Sequence, residues 1–176
     1  MRSQRDPATA RRDSRFDVQP CLLDRLITHR SQTGVASGGP FALSRALLRE
    51  AVLRDLNWLL NSTNLEATDN LDAYPHVRRS VVNFGLGPLA GARLSALDRT
   101  GIESAIREAI VQFEPRFLAG SVEVRCAAEP ATLQRNTLSI EVSGQLWSSE
   151  APQMFLIHSE IDLESGHIAL RSHGNE

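Results

Sequence analysis

Lysine is absent from this chain, and aromatic residues and cysteine are scarce. All nineteen basic residues are arginine, a bias typical of coding preference, although arginine suits fixed ion pairs at interfaces. Aromatic residues make up 5% of the 176 residues, which is little for a protein that would hold a sugar on aromatic platforms. Cys21 and Cys126 are far apart and have neither zinc-site nor redox-pair spacing, so we expect both to be reduced.

Membrane and nucleic-acid signals are also missing. There is no long apolar run and no signal peptide, which predicts a soluble cytoplasmic protein without membrane insertion. The formal net charge of -2 and pI near 6.2 argue against nucleic acid or an anionic membrane as the main partner. The histidines never fall in a ligand spacing such as HExxH, so we expect no metal and no cofactor.

The composition fits one domain. With 41% hydrophobic residues the chain can build a single core, which we place at residues 21–171. Residues 1–20 have almost no apolar periodicity, and their arginines alternate with aspartates, so they are predicted to form a flexible, solvated arm. Residues 172–176 are expected to be a short tail.

Two stretches repeat apolar residues at helical spacing. The first follows Ser44, a suitable N-cap, and its apolar residues are Leu47, Leu48, Ala51, Val52, Leu56, Leu59 and Leu60. For Trp58, in the same stretch, a place in the core is favoured over a cofactor contact. The second follows Ser95 and Asp98, which have capping-box spacing, and its apolar stripe contains Ile102, Ala105, Ile106, Ala109, Ile110 and Phe113.

Shorter segments complete the helical part. Leu22, Leu23, Leu26 and Ile27 predict a turn or two of helix that docks on the domain. Tyr74 and Pro75 begin another short helix, because proline suits the first helical position, and it is expected to run with Val77, Val81 and Phe84 on one side to Gly85. The glycine-rich loop at residues 85–91 lacks the Lys-Ser/Thr pair of a phosphate-binding loop.

After residue 117 the periodicity becomes alternating. Three strands are predicted around residues 122–126, 138–142 and 155–163, and Ser165-Gly166 turns the chain into a fourth, short one. This pattern predicts an α+β fold, with helices packed on one face of a small antiparallel or mixed sheet of three to four strands. The residues expected to form much of the core are Leu48, Val52, Leu56, Leu59, Ile102, Ile106, Ile110, Val124, Ile140 and Ile157.

The segment Phe113-Glu114-Pro115-Arg116-Phe117 breaks a local rule. Pro115 forbids continuation of the second main helix and pushes Glu114 toward extended geometry, where exposed carbonyls make the potential negative. Arg116 can cap those carbonyls or pair with the carboxylate. On the residues alone local capping is favoured, but an acid at this position is also typical of a site for a partner outside the helix.

Three phrases in this order resemble a known family. They are LRDLNWLLN at residues 53–61, YP at residues 74–75 with RSVVNFGL at residues 79–86, and FEPR at residues 113–116. Together they resemble TssE, the small subunit of the bacterial type VI secretion baseplate, and the related phage-tail wedge protein once described as lysozyme-like. The resemblance spans roughly residues 20–170.

The resemblance implies a structural role in the cytoplasm. Such a subunit contacts other wedge proteins of the TssF, TssG and TssK type, and it initiates polymerisation of a contractile sheath of TssB/TssC type by strand augmentation. The family's Glu-Pro-Arg motif maps onto Glu114, Pro115 and Arg116, which the resemblance implies hold the subunit to the wedge. Glu114 and Arg116 are therefore expected to be at least partly exposed before assembly.

Two other functions are alternatives to this one. A peptidoglycan glycoside hydrolase needs two carboxylates across a cleft, and Glu103 and Glu114, eleven residues apart on one helix, would be separated by about 16 Å. A regulatory, anti-adaptor-like binding module shares this small fold but lacks the three phrases. The chain is thus expected not to be an enzyme.

Overall fold

Helices and one four-stranded antiparallel sheet make up most of the described part of the chain. The computed structural model describes residues 21–23, 26, 45–89, 98–127, 136–147 and 151–171. The helices are α1 (Arg45–Leu60), α2 (Pro75–Arg78) and α3 (Arg99–Phe113), and the strands are β1 (Glu123–Ala127), β2 (Thr137–Leu146), β3 (Gln153–Asp162) and β4 (Ile168–Arg171). The predicted α+β class is confirmed.

The sheet is an antiparallel meander in the order β1-β2-β3-β4. Its centre is the ten-residue pairing of β2 with β3, in which Val142 lies opposite Ile157. The predicted turn at Ser165-Gly166 joins β3 to β4, and Gly166 adopts φ 74° there, a conformation that favours glycine. All pairings are antiparallel, so the mixed-sheet alternative is wrong.

One face of the sheet is buried and the other is partly exposed. Along β2 and β3 the buried residues alternate with partly exposed ones such as Glu141 and His158. Helix α3 packs against β1, and α1 packs against β4 and α3, which closes the core over the buried face. All ten residues predicted for the core are buried.

The segment between α1 and α3 differs from its prediction. Helix α2 ends at Arg78, and the side chain of Ser80 caps a separate 3-10 turn at Val81–Asn83. Val81 is consequently 80% exposed rather than packed on one side of a continuous helix. Gly85 follows with φ 123°, and a Cβ there would lie 2.3 Å from the Ser62 carbonyl oxygen, so glycine is required.

The helix starts are only partly described. Asp98 is the N-cap of α3, and its side chain accepts a hydrogen bond from Gly101 N. The proposed caps Ser44 and Ser95 lie outside the described residues, as do most of residues 1–44. Leu22, Leu23 and Leu26 have helical backbone, as predicted. Leu47, expected on the apolar side of α1, is 53% exposed.

Candidate partner-binding site

The end of α3 has the geometry that Pro115 demands. Glu114 is the C-cap, with φ -117° and ψ 81°, and its N–H donates to Ile110 O at 2.9 Å. The chain leaves the helix at this residue because the helical region is disfavoured before proline. Pro115 itself is exposed. The predicted helix break is therefore where the sequence places it.

Glu114 is buried, which corrects the expectation that it is partly exposed. Only 3% of the residue is accessible. Its carboxylate accepts from Arg116 Nε at 2.6 Å and Arg116 N at 3.2 Å, and Arg116 Nη2 pairs with its second oxygen. This two-pronged ion pair compensates the burial of the charge, which would otherwise be costly. Arg116 is partly exposed, as expected, with 20% of its side chain accessible.

Asp55 on α1 is a third member of this cluster. Its Oδ2 accepts from Arg116 Nη2 at 2.5 Å, and its Oδ1 accepts from Arg54 Nε at 2.9 Å. Burial lowers the pKa of Arg116, but the hydrogen bonds and charges of Glu114 and Asp55 outweigh this effect and raise that pKa above its ordinary value. Arg116 therefore stays charged and ties α1 to the end of α3.

The cluster ends at an exposed aromatic side chain. The Arg54 guanidinium lies over the Trp58 ring, 5.2 Å from its centroid, within cation–π range. Trp58 is 49% exposed, so its assignment to the core is wrong. It lines a cleft between α1 and the end of α3, together with Cys21, Leu23, Asp55, Leu56, Leu59, Phe84, Phe113, Glu114, Pro115 and Arg116.

The residues after Pro115 join the sheet. Arg116 O accepts from Trp147 N at 2.8 Å, and Leu118 N donates to Gln145 O at 2.9 Å. Phe117 forms an isolated antiparallel bridge with Leu146 at the end of β2. The segment thus continues the line of β1 along β2, and Arg116 is fixed by the sheet as well as by two carboxylates.

Local sequence patterns could not reveal Asp55. It lies on a polar position of α1, and its link to Arg116 crosses 61 positions of sequence. The sequence feature that points to Asp55 is the family-like phrase at residues 53–61, which contains Arg54, Asp55 and Trp58. The structure brings that phrase and the Glu-Pro-Arg segment together in one site.

Comparison with known proteins decides the family. Residues 46–151, more than half of the chain, match the family model described as baseplate wedge protein gp25. The chain belongs to this family. The matched region contains Asp55, Trp58 and the Glu-Pro-Arg segment, whereas Cys21 and Leu23 precede it. No curated protein and no solved structure matches the chain.

Glu103 and Glu114, the two carboxylates that a glycoside hydrolase would need as a pair, lie at different places in this wedge protein. Glu103 Oε1 accepts from Cys126 N at 2.7 Å, on the edge of β1. Glu114 is engaged by Arg116 at the other end of α3. Across the described ranges, His, Cys, Asp and Glu side chains form no group of three that could hold a metal ion.

At both edges of the sheet in this wedge protein, side chains form hydrogen bonds with backbone groups that point outward. On β4, Ile168 N donates to Asn61 Oδ1 at 2.9 Å and Ile168 O accepts from Asn61 Nδ2 at 3.0 Å. At the β1 edge, besides the Glu103 contact, Arg107 Nε donates to the carbonyl oxygen of Val122, the residue before β1, at 3.2 Å. These bonds cover backbone groups that point away from the sheet, where an added strand would bind.

Among the residues that the structure describes, none belongs to a helix both long and apolar enough to cross a bilayer.

Proposed function

We propose that this wedge protein is a TssE-type subunit of a bacterial type VI secretion baseplate. In this role it is a cytoplasmic structural protein rather than an enzyme. It is held in the wedge by the segment Glu114, Pro115 and Arg116, and it starts sheath polymerisation by pairing a sheath strand with its own sheet. Its partners are wedge subunits of the TssF, TssG and TssK type and sheath proteins of the TssB/TssC type.

The observation that carries the proposal is the clamp on Arg116. At this helix end Pro115 is exposed and Glu114 is buried. Arg116 is held by Asp55 on α1 and by the N–H of Trp147 at the end of β2. These contacts make the segment rigid. Rigid, preformed elements favour tight binding, since little ordering is left to occur on association. A subunit that must keep its orientation in a large assembly benefits from such an anchor.

The sheet supports the second half of the proposal. A meander of four strands leaves β1 and β4 as edges, and strand augmentation uses unpaired edge groups. Both edges are partly held by side chains from the helices. An incoming strand therefore displaces side-chain hydrogen bonds and leaves the existing strand pairing intact.

Co-purification tests the anchor. The tagged protein is expressed with the wedge subunits of its own genome, as wild type and as the Glu114→Ala, Arg116→Ala double variant. We expect wild type to recover the wedge subunits and the folded variant to lose them. The matched control is Glu66→Ala with Arg78→Ala, which removes an ion pair elsewhere on the surface and should leave recovery unchanged. Equal recovery by all three proteins places the anchor elsewhere, and no recovery by wild type contradicts the proposed role.

Proline substitutions test the sheath half. Val124 and Leu170 have the same alternation as Cys126 and Ile168, so their N–H groups point outward from β1 and β4. Proline there removes one outward donor and spares the internal pairing, but it also replaces a side chain that packs in or against the core. Circular dichroism must therefore show that each variant is folded, and Val124→Ala and Leu170→Ala, which keep the donor, are the matched controls. Loss of TssB/TssC-type sheath capture by one of the two variants identifies the edge that receives the strand. Retention by both would contradict strand augmentation.

A further inference from the structure

Trp58 is the most exposed large side chain that borders the Glu-Pro-Arg segment. It is 49% exposed, at the mouth of the cleft that also contains Pro115. Its ring is held on one side by the Arg54 guanidinium at 5.2 Å. A half-exposed indole held in one orientation offers a large apolar surface to a partner, and tryptophan is enriched among residues that dominate binding energy.

The charged groups of the cleft neutralise one another. Two acids and two bases alternate along the cluster Glu114, Arg116, Asp55 and Arg54, and each neighbour in that order is joined by an ion pair. The Glu114 side chain is only 4% accessible. A partner would have to break these bonds to pair with either charge of the Glu-Pro-Arg segment, at the cost of leaving Glu114 buried and unpaired.

The remaining walls of the cleft are apolar. They are formed by Leu23, Leu56, Leu59, Phe84, Phe113 and Pro115. Phe84 and Phe113 pack edge to face with ring centroids 5.4 Å apart, which gives the cleft a rigid floor. A cleft whose lining is mostly apolar and whose charges are paired with one another is complementary to an apolar side chain and not to a charged one.

We propose that Trp58 and Pro115 make the contact with the neighbouring wedge subunit, and that an apolar side chain of that subunit inserts between them. Glu114, Arg116 and Asp55 are then positioning residues that fix the walls of the cleft from within. This inference rests on the proposed anchoring at the Glu-Pro-Arg segment and identifies the side chains that contact the partner there.

A pair of variants of exposed apolar side chains tests the contact. Trp58→Ala is compared with Met154→Ala, because Met154 on β3 is also exposed, at 73%, but does not line the cleft. The readout is the affinity of the purified full-length protein for the wedge subunits of its own genome. We expect Trp58→Ala to weaken binding about tenfold or more and Met154→Ala to change it by less than about twofold.

Labelling with 5-fluorotryptophan gives a second readout that does not depend on a variant. In the labelled wild-type protein, the fluorine resonance of Trp58 should shift on addition of unlabelled wedge subunits while that of Trp147 does not. A Trp58 resonance that stays in place in a formed complex, or unchanged affinity in Trp58→Ala, overturns this inference but leaves the proposed function standing. Failure of wild type to bind any wedge subunit overturns both.

Salt dependence separates the contact from a charged one. Raising NaCl from about 0.05 M to about 0.5 M screens exposed ion pairs. We expect the wild-type affinity to change by less than about threefold, because the charges of the cleft are already paired within the subunit. A loss of more than about tenfold would mean that Glu114 or Arg116 pairs with the partner directly, which would contradict the positioning role.

Discussion

Asp55 and Arg116 form an ion pair across 61 positions of sequence, and this pair connects the middle of α1 to the chain just beyond α3. Arg116 is shared, since Glu114 accepts from the same guanidinium. The Glu-Pro-Arg segment therefore supplies one side of a tertiary contact, and Asp55 supplies the other side.

Replacement of Arg116 by alanine should destabilise the protein. The variant leaves the 3%-exposed Glu114 without its ion-pair partner, and we expect the free energy of unfolding to fall by roughly 2–4 kcal/mol, since Arg116 is itself partly exposed. Urea unfolding measures this. Arg125→Ala is the control, because its pair with Glu123 is exposed and should contribute little. Equal stability of the two variants would show that the buried pair adds nothing.

Sequence patterns predicted the main helices, the strands and the core, because burial of one face imposes a period of 3.6 or 2 on the apolar residues. They failed where a contact between distant segments decides the outcome. Glu114 was expected to be at least partly exposed because the family resemblance implies that it binds the wedge. Its burial depends on Arg116 and Asp55, and no local spacing encodes that arrangement.

Trp58 shows the opposite failure. Its hydrophobicity favours the core, but its position on α1 directs it away from Leu56 and Leu59, which are buried. The stacking with Arg54 one turn earlier explains how the ring stays ordered at the surface. Val81 was misplaced for a different reason, since the Ser80 cap starts a new turn and ends the helical period.

Gly144 should not tolerate even a methyl group. A Cβ there would lie 2.8 Å from the ring of Phe117, which is buried and packs edge to face on Phe155 with ring centroids 5.1 Å apart. We expect Gly144→Ala to lower the melting temperature, with a loss of about 1–3 kcal/mol in unfolding free energy. A Cβ on Gly120 would meet nothing within 4 Å, so Gly120→Ala is the matched control. A stable Gly144→Ala protein would mean that Phe117 can move.

Asn61 should protect the edge of β4. Asn61→Ala leaves the Ile168 N–H and C=O without their side-chain partner, and we expect a loss of roughly 1–2 kcal/mol. Faster amide hydrogen exchange at Ile168 is the direct measurement. Asn61→Asp keeps an acceptor for Ile168 N but lacks the donor for Ile168 O, so its effect should be intermediate. Unchanged exchange in Asn61→Ala would show that this edge is protected by other contacts.

The thiol of Cys126 should react slowly with disulfide reagents. Burial and the charge of Glu103, partly offset by Arg99, raise the pKa of Cys126 from 9.0 to about 11. At pH 8 it therefore carries roughly a hundredfold less thiolate than at the ordinary pKa. With a disulfide reagent, the Cys21→Ser variant, which retains Cys126, should react far more slowly than Cys126→Ser, which retains exposed Cys21. Similar rates would contradict the raised pKa.

The same pKa predicts a pH dependence of stability. Because the folded-state pKa of Cys126 lies above the ordinary value, its contribution to the unfolding free energy is complete below about pH 9 and is lost as the pH rises to about 11. Cys126→Ala should lack this part of the decline. The comparison of the two proteins between these pH values isolates the thiol from other titrating groups.

The backbone bonds of Arg116 and Leu118 to β2 have a mechanical consequence. A force applied at Pro115 is transmitted to the hydrogen bond between Arg116 O and Trp147 N, and then to the bond between Leu118 N and Gln145 O. From β2 it spreads over the ten-residue pairing with β3. Pro115 therefore directly precedes the first residue that is bonded to the sheet, so a force applied at Pro115 is carried by the sheet and not by a flexible connection.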